Sequence, residues 1–336
     1  MKRFIALSLS LLFLLLLAGC GTTQPSSSTS SSTSSNSGKK AVKIGIIQIV
    51  EHPALDAARQ GFLETLKANG YEEGKNLTVD YENAQGDPST LNSIAQKMAS
   101  AKLDLVLAIA TPSAQAIAGL TKNTPILITA VTDPVAAKLV NSMDKPGTNV
   151  TGTTDMNPIK QQIALLQKLV PQAKKIGVIY NAGEVNSQVQ VKLVKQIAGD
   201  LGLQIVEATV TSTADVQQAA QFLVGKVDAV YVPTDNTVVS AAPTVLQVTN
   251  KNKIPVIAGE SSVVDKGGLA TIGINYKNLG KQTGEMALKV LDGSKPQDMA
   301  IQSQKDFDTV INKTAVNLLG IKVPDDLSKA TMVETK

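Results

Sequence analysis

Cysteine occurs once in the 336 residues, at Cys20, so the chain can form no internal disulfide and offers no thiolate cluster to a metal. Histidine also occurs once, at His52, which excludes a multi-histidine metal centre. Tryptophan is absent and aromatic residues make up 3% of the chain, leaving no platform on which exposed bases could stack. Arginine stands only at Arg3 and Arg59, so the region beyond the N-terminus holds one guanidinium that could clamp an anion. The net charge of +4 is small for this length and the lysines are scattered, which gives nucleic acid no basic stripe to follow. No nucleophile elbow is present, since Gly259–Val263 lacks the second glycine, and no Walker loop or dinucleotide fingerprint follows any expected strand. These gaps argue against an enzyme and against a cofactor.

The first twenty residues are organised differently. Lys2 and Arg3 precede an apolar run, Phe4 to Leu17, too short for a comfortable membrane span and shaped like a secretion signal. It ends in Leu17, Ala18, Gly19 and Cys20, which resembles the lipobox of bacterial lipoproteins, where the cysteine receives lipid and becomes the mature N-terminus. Residues 21–40 are nearly all Ser, Thr and Gly, a composition that cannot bury enough apolar surface to order itself and that serves as a flexible tether. The expectation is a signal peptide over 1–20, a tether over 21–40, and a body held by lipid on the extracytoplasmic face of the cell membrane.

Roughly 290 residues remain, more than one core usually organises, which predicts two lobes. From Ala41 onward, short β-branched runs alternate with amphipathic helical stretches. Strands are expected at Val42–Ile49, Asn76–Tyr81, Leu103–Ile109, Pro125–Thr129 and Asn149–Thr153, and again at Lys175–Tyr180, Leu203–Ala208, Val227–Val232 and Ile254–Ala258. Helices are expected to begin near Pro53, Asp87 and Pro112, and to span Ser187–Leu201, Thr213–Val224 and Thr237–Lys251. The alternation specifies an α/β fold of two Rossmann-like lobes with parallel sheets. The last part, a strand at Leu269–Asn275, a helix at Leu279–Leu291 and a strand at Met299–Gln304, is too small for a third domain and crosses between the lobes. The N-terminal lobe is therefore assigned to 41–154 with 276–297, and the C-terminal lobe to 155–275 with 298–330.

Ligands of open parallel sheets bind beyond the carboxyl ends of the strands, where helix N-termini face the crevice. The segments that follow the expected strands carry small hydroxyl and carboxylate residues. An α-amino acid needs donors on one side and an acidic acceptor on the other. Thr111 and Ser113, around Pro112 at a helix start, suit the carboxylate, and Asp235 suits the ammonium. Thr132 and Glu260 are second choices for the same two roles. Each of these residues is equally at home as a helix N-cap. His52 falls just after the first strand, at the mouth of the same crevice.

Several segments taken together carry a resemblance: HPALD at His52–Asp56, ARQGF at Ala58–Phe62, TPSAQA at Thr111–Ala116, AVTDPV at Ala130–Val135, NVTG at Asn149–Gly152, YVPTDN at Tyr231–Asn236, and INYKNLGKQTGEMALKVLDG at Ile274–Gly293. They are similar to a family of bacterial ABC transporter substrate-binding lipoproteins whose better-known members take up tryptophan, tyrosine or phenylalanine. The resemblance implies the type I periplasmic-binding-protein architecture, with three hinge crossovers. It implies ligand contacts at His52, Thr111, Ser113, Thr132, Asp133, Asn181, Glu184, Asp235 and Asn236, with Asp155 at the first crossover touching ligand or only the hinge. The implied partners are a small amino acid, an ABC permease with its ATPase, and the membrane through lipid on Cys20. Phe62, Tyr180, Tyr231 and Tyr276 are the rings available to stack on an aromatic ligand. A sugar or nucleoside receptor of the same fold, and a ligand sensor outside transport, are the alternatives.

Overall fold

The computed structural model describes residues 39–335, so the expected signal peptide, Cys20 and most of the tether lie outside the described residues. Where β-branched and leucine residues run unbroken, the chain forms strands β1 (Val42–Gln48), β2 (Leu77–Asn83), β3 (Leu105–Ile109), β4 (Ile126–Val131) and β5 (Val150–Thr154). Helices α1 (Pro53–Ala68), α2 (Pro88–Ser100) and α3 (Thr111–Ala118) connect the first four. After α4 (Ile159–Leu169) the pattern restarts with β6 (Lys175–Asn181), α5 (Val185–Asp200), β7 (Gln204–Val210), α6 (Val216–Leu223), β8 (Ala229–Val232), α7 (Asn236–Ser240), α8 (Ala242–Lys251) and β9 (Val256–Ala258). The chain closes with α9 (Ser261–Asp265), β10 (Ala270–Gly273), α10 (Tyr276–Leu291), β11 (Gln302–Ser303), β12 (Asp308–Asn312), α11 (Lys313–Leu319) and β13 (Thr331–Val333).

Two sheets result. The first runs β11-β5-β4-β3-β1-β2 and is parallel throughout. The second runs β13-β12-β10-β9-β8-β6-β7 and is parallel except where β12 lies antiparallel to β10. Every residue of β3, β4 and β5 is buried, as expected of strands covered by helices on both faces. In the edge strand β2 only Leu77 is buried.

The chain crosses between the halves after β5, after β10 and after β11. α10 returns to the first half because it packs closely along α1. A β-carbon at Gly280 would lie 1.9 Å from the Ala58 carbonyl oxygen, and one at Gly61 would lie 2.0 Å from that of Lys277, so the contact requires glycine on both helices. The three crossovers are tied to one another. Ile274 N–H donates to Asn157 Oδ1 at 3.3 Å, and Gln304 exchanges two hydrogen bonds with the Asn275 backbone, at 3.1 and 2.8 Å.

Three details differ from expectation. The single helix expected over Thr237–Lys251 is broken at Ala241 into α7 and α8, because Pro243 has no N–H to give and its ring would collide with a carbonyl one turn back. The strand expected over Met299–Gln304 shrinks to Gln302–Ser303 and pairs with β5, which keeps it in the first half and moves the third crossover from 298 to beyond Ser303. The strands β12 and β13 were not anticipated: they are short, and they border the second sheet only through pairing.

Candidate functional site

The carboxyl ends of both sheets meet along one cleft. Between them lies a small chamber lined from the first half by His52, Leu55, Ala130, Asp155 and Tyr276, and from the second by Asn186, Thr234, Asn236, Val239 and Glu260. The backbone on the first side is strained. Ala110, which follows β3, and Ala130, at the register irregularity near the end of β4, have φ of 75° and 56°, in a region L residues rarely occupy. Such strain persists where the surroundings over-determine it, and it clusters at binding sites. Here it turns the chain sharply so that Thr111 and Ser113 open α3 at the cleft.

The two acidic residues of the chamber are buried but only lightly engaged. Asp155 Oδ1 accepts from Thr132 Oγ at 3.0 Å, and Oδ2 accepts from the Tyr276 hydroxyl at 2.7 Å. Glu260 accepts from the Ser262 N–H at 2.8 Å and the Ser262 hydroxyl at 2.6 Å. A carboxylate has about four lone-pair positions, so each keeps acceptor capacity. Burial raises both above the usual carboxylate range, against the hydrogen bonds from Tyr276 and Thr132 at Asp155 and from Ser262 at Glu260, where the Lys266 charge also opposes it.

His52 is pushed down to about 3, chiefly by burial and then by the Lys266 charge, with an Asn236 hydrogen bond acting the other way. It is therefore neutral, and its Nδ1 is buried without a partner. The Thr111 and Ser113 hydroxyls, Asn186 Oδ1 and the Thr234 hydroxyl are likewise buried and unpartnered. Buried polar atoms are rarely left so. The orientation of Asn186 is fixed by its amide N–H₂, which donates to Glu184 Oε2 at 3.0 Å, so an acceptor faces the chamber.

Asp235 occupies a different place from the one expected. It is wholly buried at the start of α7, does not line the chamber, and accepts three hydrogen bonds: Val238 N–H at 2.8 Å, Asn181 N–H at 2.6 Å and the Ser187 hydroxyl at 2.5 Å. Burial and then the neighbouring Glu184 carboxylate push it up to about 7. Its chemistry is that of an N-cap that also ties β6 and α5 to α7. Glu184 takes five hydrogen bonds, from Asn186, from the N–H and side chain of Asn236 and from those of Thr237. Asn181 is held by Asp235, Thr237 and Gly183. Asp133 caps the turn that follows it through the Val135 and Ala136 N–H groups.

Of the four candidate rings, Phe62, Tyr180 and Tyr231 are core residues, the last with its hydroxyl on Gln162 Oε1 at 2.6 Å. Only Tyr276 reaches the chamber. Asn186 and Thr234 were not singled out beforehand. Asn186 lies in the first turn of α5 and Thr234 in the loop after β8, and only their missing partners distinguish them from ordinary helix-start and turn residues.

Outside the chamber, and meeting it at Asn236, a groove runs between the β2–α2 turn of the first half and the β7–α6 turn of the second. The chamber holds about 10 Å³ of free volume and the groove about 410 Å³.

Residues 43–334 match the family model of the ABC transporter substrate binding protein. This chain belongs to that family. The substrate-binding protein is 47% identical over 284 residues to the tyrosine-binding protein of Clostridioides difficile, covering 84% of this chain and 82% of the relative. A solved ABC domain from Streptococcus pneumonia in complex with L-Trp shares 38% identity at a TM-score of 0.85, covering 88% of this chain and all of the other. The ligand-free, open structure of a substrate-binding protein with adhesive properties from Clostridium difficile shares 50% identity at the same coverage, yet its TM-score is 0.68. The substrate-binding protein described here is thus nearer in shape to the tryptophan complex than to the open form, although its sequence is nearer to the latter. The fold is the type I periplasmic-binding architecture of these neighbours.

Proposed function

We propose that this protein binds an aromatic α-amino acid in the interlobe cleft and delivers it to an ABC permease for import, without transforming it. The observation that carries the reading is the set of unpartnered buried polar atoms on both sides of the cleft, with Asp155 and Glu260 between them. Thr111, Ser113 and the N-terminus of α3 would take the ligand carboxylate, where hydroxyl donors and the helix dipole act together. Asp155, Glu260 and Asn186 Oδ1 would take the ammonium, the two carboxylates through charge-assisted bonds. In this reading Asp235, Glu184, Asn181 and Asp133 shape the walls rather than touch the ligand.

Closure follows from the division of these groups. The first half carries the Thr111 and Ser113 hydroxyls and Asp155, while the second carries Glu260, Asn186 and Thr234, so the closed form adds acceptors for the ammonium that the first half alone does not supply. Ligand then shifts the population toward that form. The closed receptor would be read by the permease, and lipid on Cys20 would hold it at the extracytoplasmic face of the membrane.

A thermal-shift panel of amino acids, sugars and nucleosides tests the reading. Tyrosine, tryptophan or phenylalanine should raise the melting temperature, as any ligand that binds only the folded state must. Stabilisation by a sugar or nucleoside, with none from any amino acid, would overturn it.

A further inference from the structure

Asp155 and Glu260 reach one chamber from opposite halves, and its free volume of about 10 Å³ is that of little more than one water molecule. Two carboxylates sharing so small and buried a space resist being ionised together, because their repulsion adds to the hydration each has lost. Among the described residues, none that lines the chamber supplies a balancing cation. His52 is the one lining group able to carry positive charge, and burial keeps it neutral. Tyr276 donates to Asp155 and stays a neutral phenol, since burial and both carboxylates push it up. Lys266 acts on Glu260 from the end of α9 without lining the chamber. Glu184, bonded to Asn186 and Asn236, adds negative charge behind the second wall, with Asp235 beside it.

We propose that closure of this receptor is proton-linked: one proton shared by Asp155 and Glu260 lets the halves close without ligand, and the ligand ammonium displaces it. The proposal rests on the amino-acid reading above and adds how that site responds to pH. With the halves together, burial raises both carboxyls above their usual range. The closed form therefore holds the proton more tightly than an open form with both groups in water, and falling pH favours closing.

The exchange balances. Without ligand, one carboxyl O–H donates to the other carboxylate, and the pair carries one negative charge. When the ammonium enters, that O–H bond breaks, the proton passes to water, and two carboxylates around one ammonium again carry one negative charge. The proton also has a way out. Glu260 and Tyr276 line a second cavity of about 270 Å³ beside the crossover residues Ile274 and Asn275. Its wall includes Asp265 and the exposed Lys277 and Asp308, charges of both signs open to water.

Small-angle X-ray scattering of the ligand-free wild type, from about pH 7.5 to about pH 4.5, spans the range in which such carboxyls titrate. The radius of gyration should shrink as pH falls, toward the value that saturating tyrosine produces at neutral pH. Calorimetry with tyrosine near pH 5, in two buffers of different ionisation enthalpy, should show about one proton released per ligand, with affinity falling about tenfold per pH unit further into acid. Glu260→Gln leaves one carboxylate and should lose most of the acid-driven shrinkage, its melting temperature checking that it folds. A wild-type radius that stays constant across the range overturns the proposal, and so does binding near pH 5 without proton release. Shrinkage driven by sodium or ammonium ions at fixed pH and not by acid, or an undiminished response in folded Glu260→Gln, overturns it as well. Should that variant not fold, the two wild-type measurements still decide. Failure of the underlying reading looks different: the wild-type protein then binds no amino acid at any pH.

Discussion

Two buried aspartates, Asp155 and Asp235, sit at equivalent edges of the two halves and do opposite work. Asp155 lines the chamber, takes one hydrogen bond on each oxygen, and keeps lone pairs for something else. Asp235 lies outside it and is engaged by three donors from β6, α5 and α7. The same contrast runs through the hydroxyls. Ser113 is buried with no partner, while Ser187 is buried on Asp235. Burial alone therefore does not identify a binding group; at the cleft, unsatisfied burial separates the two kinds.

The comparison breaks most visibly at the aspartates. Asp155→Ala should cost about 2 to 5 kcal/mol of amino-acid affinity by calorimetry, because a buried ammonium loses its charged partner. Asp235→Ala should act on the fold instead, lowering stability in urea unfolding by about 1 to 3 kcal/mol as three donors lose their acceptor. Equal affinity losses for the two would erase the distinction.

A pH series sharpens it at His52. The folded protein holds this imidazole at about 3 against an ordinary 6.5, so below pH 6.5 the unfolded chain binds the extra proton. Stability should fall as pH drops from 6.5 toward 3, by up to about 1.4 kcal/mol per pH unit. The raised Asp155 and Glu260 act with the opposite sign, so the His52 share is read as the difference between wild type and His52→Gln, whose profile should be flatter in acid. Identical profiles would mean that His52 is not held neutral.

The smallest effect is expected at the serines. Ser113→Ala should lose about 0.5 to 1.5 kcal/mol of affinity with no loss of stability, since an orphaned hydroxyl is removed. Ser187→Ala should do the reverse, costing stability and leaving affinity nearly unchanged.

Much of the architecture was legible beforehand because buried parallel strands such as Leu105–Ile109 and Ile126–Val131 admit few polar residues and stand out as β-branched runs. Pro243 marks the break between α7 and α8 in the sequence itself. The strands β12 and β13 were not legible, since five and three residues become strands only through their neighbours. Of the expected contacts, His52, Asp155, Asn236 and Glu260 line the chamber, and Thr111 and Ser113 flank Pro112, which lines the groove. The roles within the cleft could not be read. Whether Asp235 has free lone pairs depends on Asn181 and Ser187, 54 and 48 residues away in sequence.

The most direct test is a crystal structure of the protein with bound tyrosine. The account places the ligand nitrogen within about 3.2 Å of an Asp155 or Glu260 oxygen and the ligand carboxylate on the Thr111 and Ser113 hydroxyls. A ligand nitrogen resting on Asp235, with Thr111 and Ser113 still unpartnered, would contradict it.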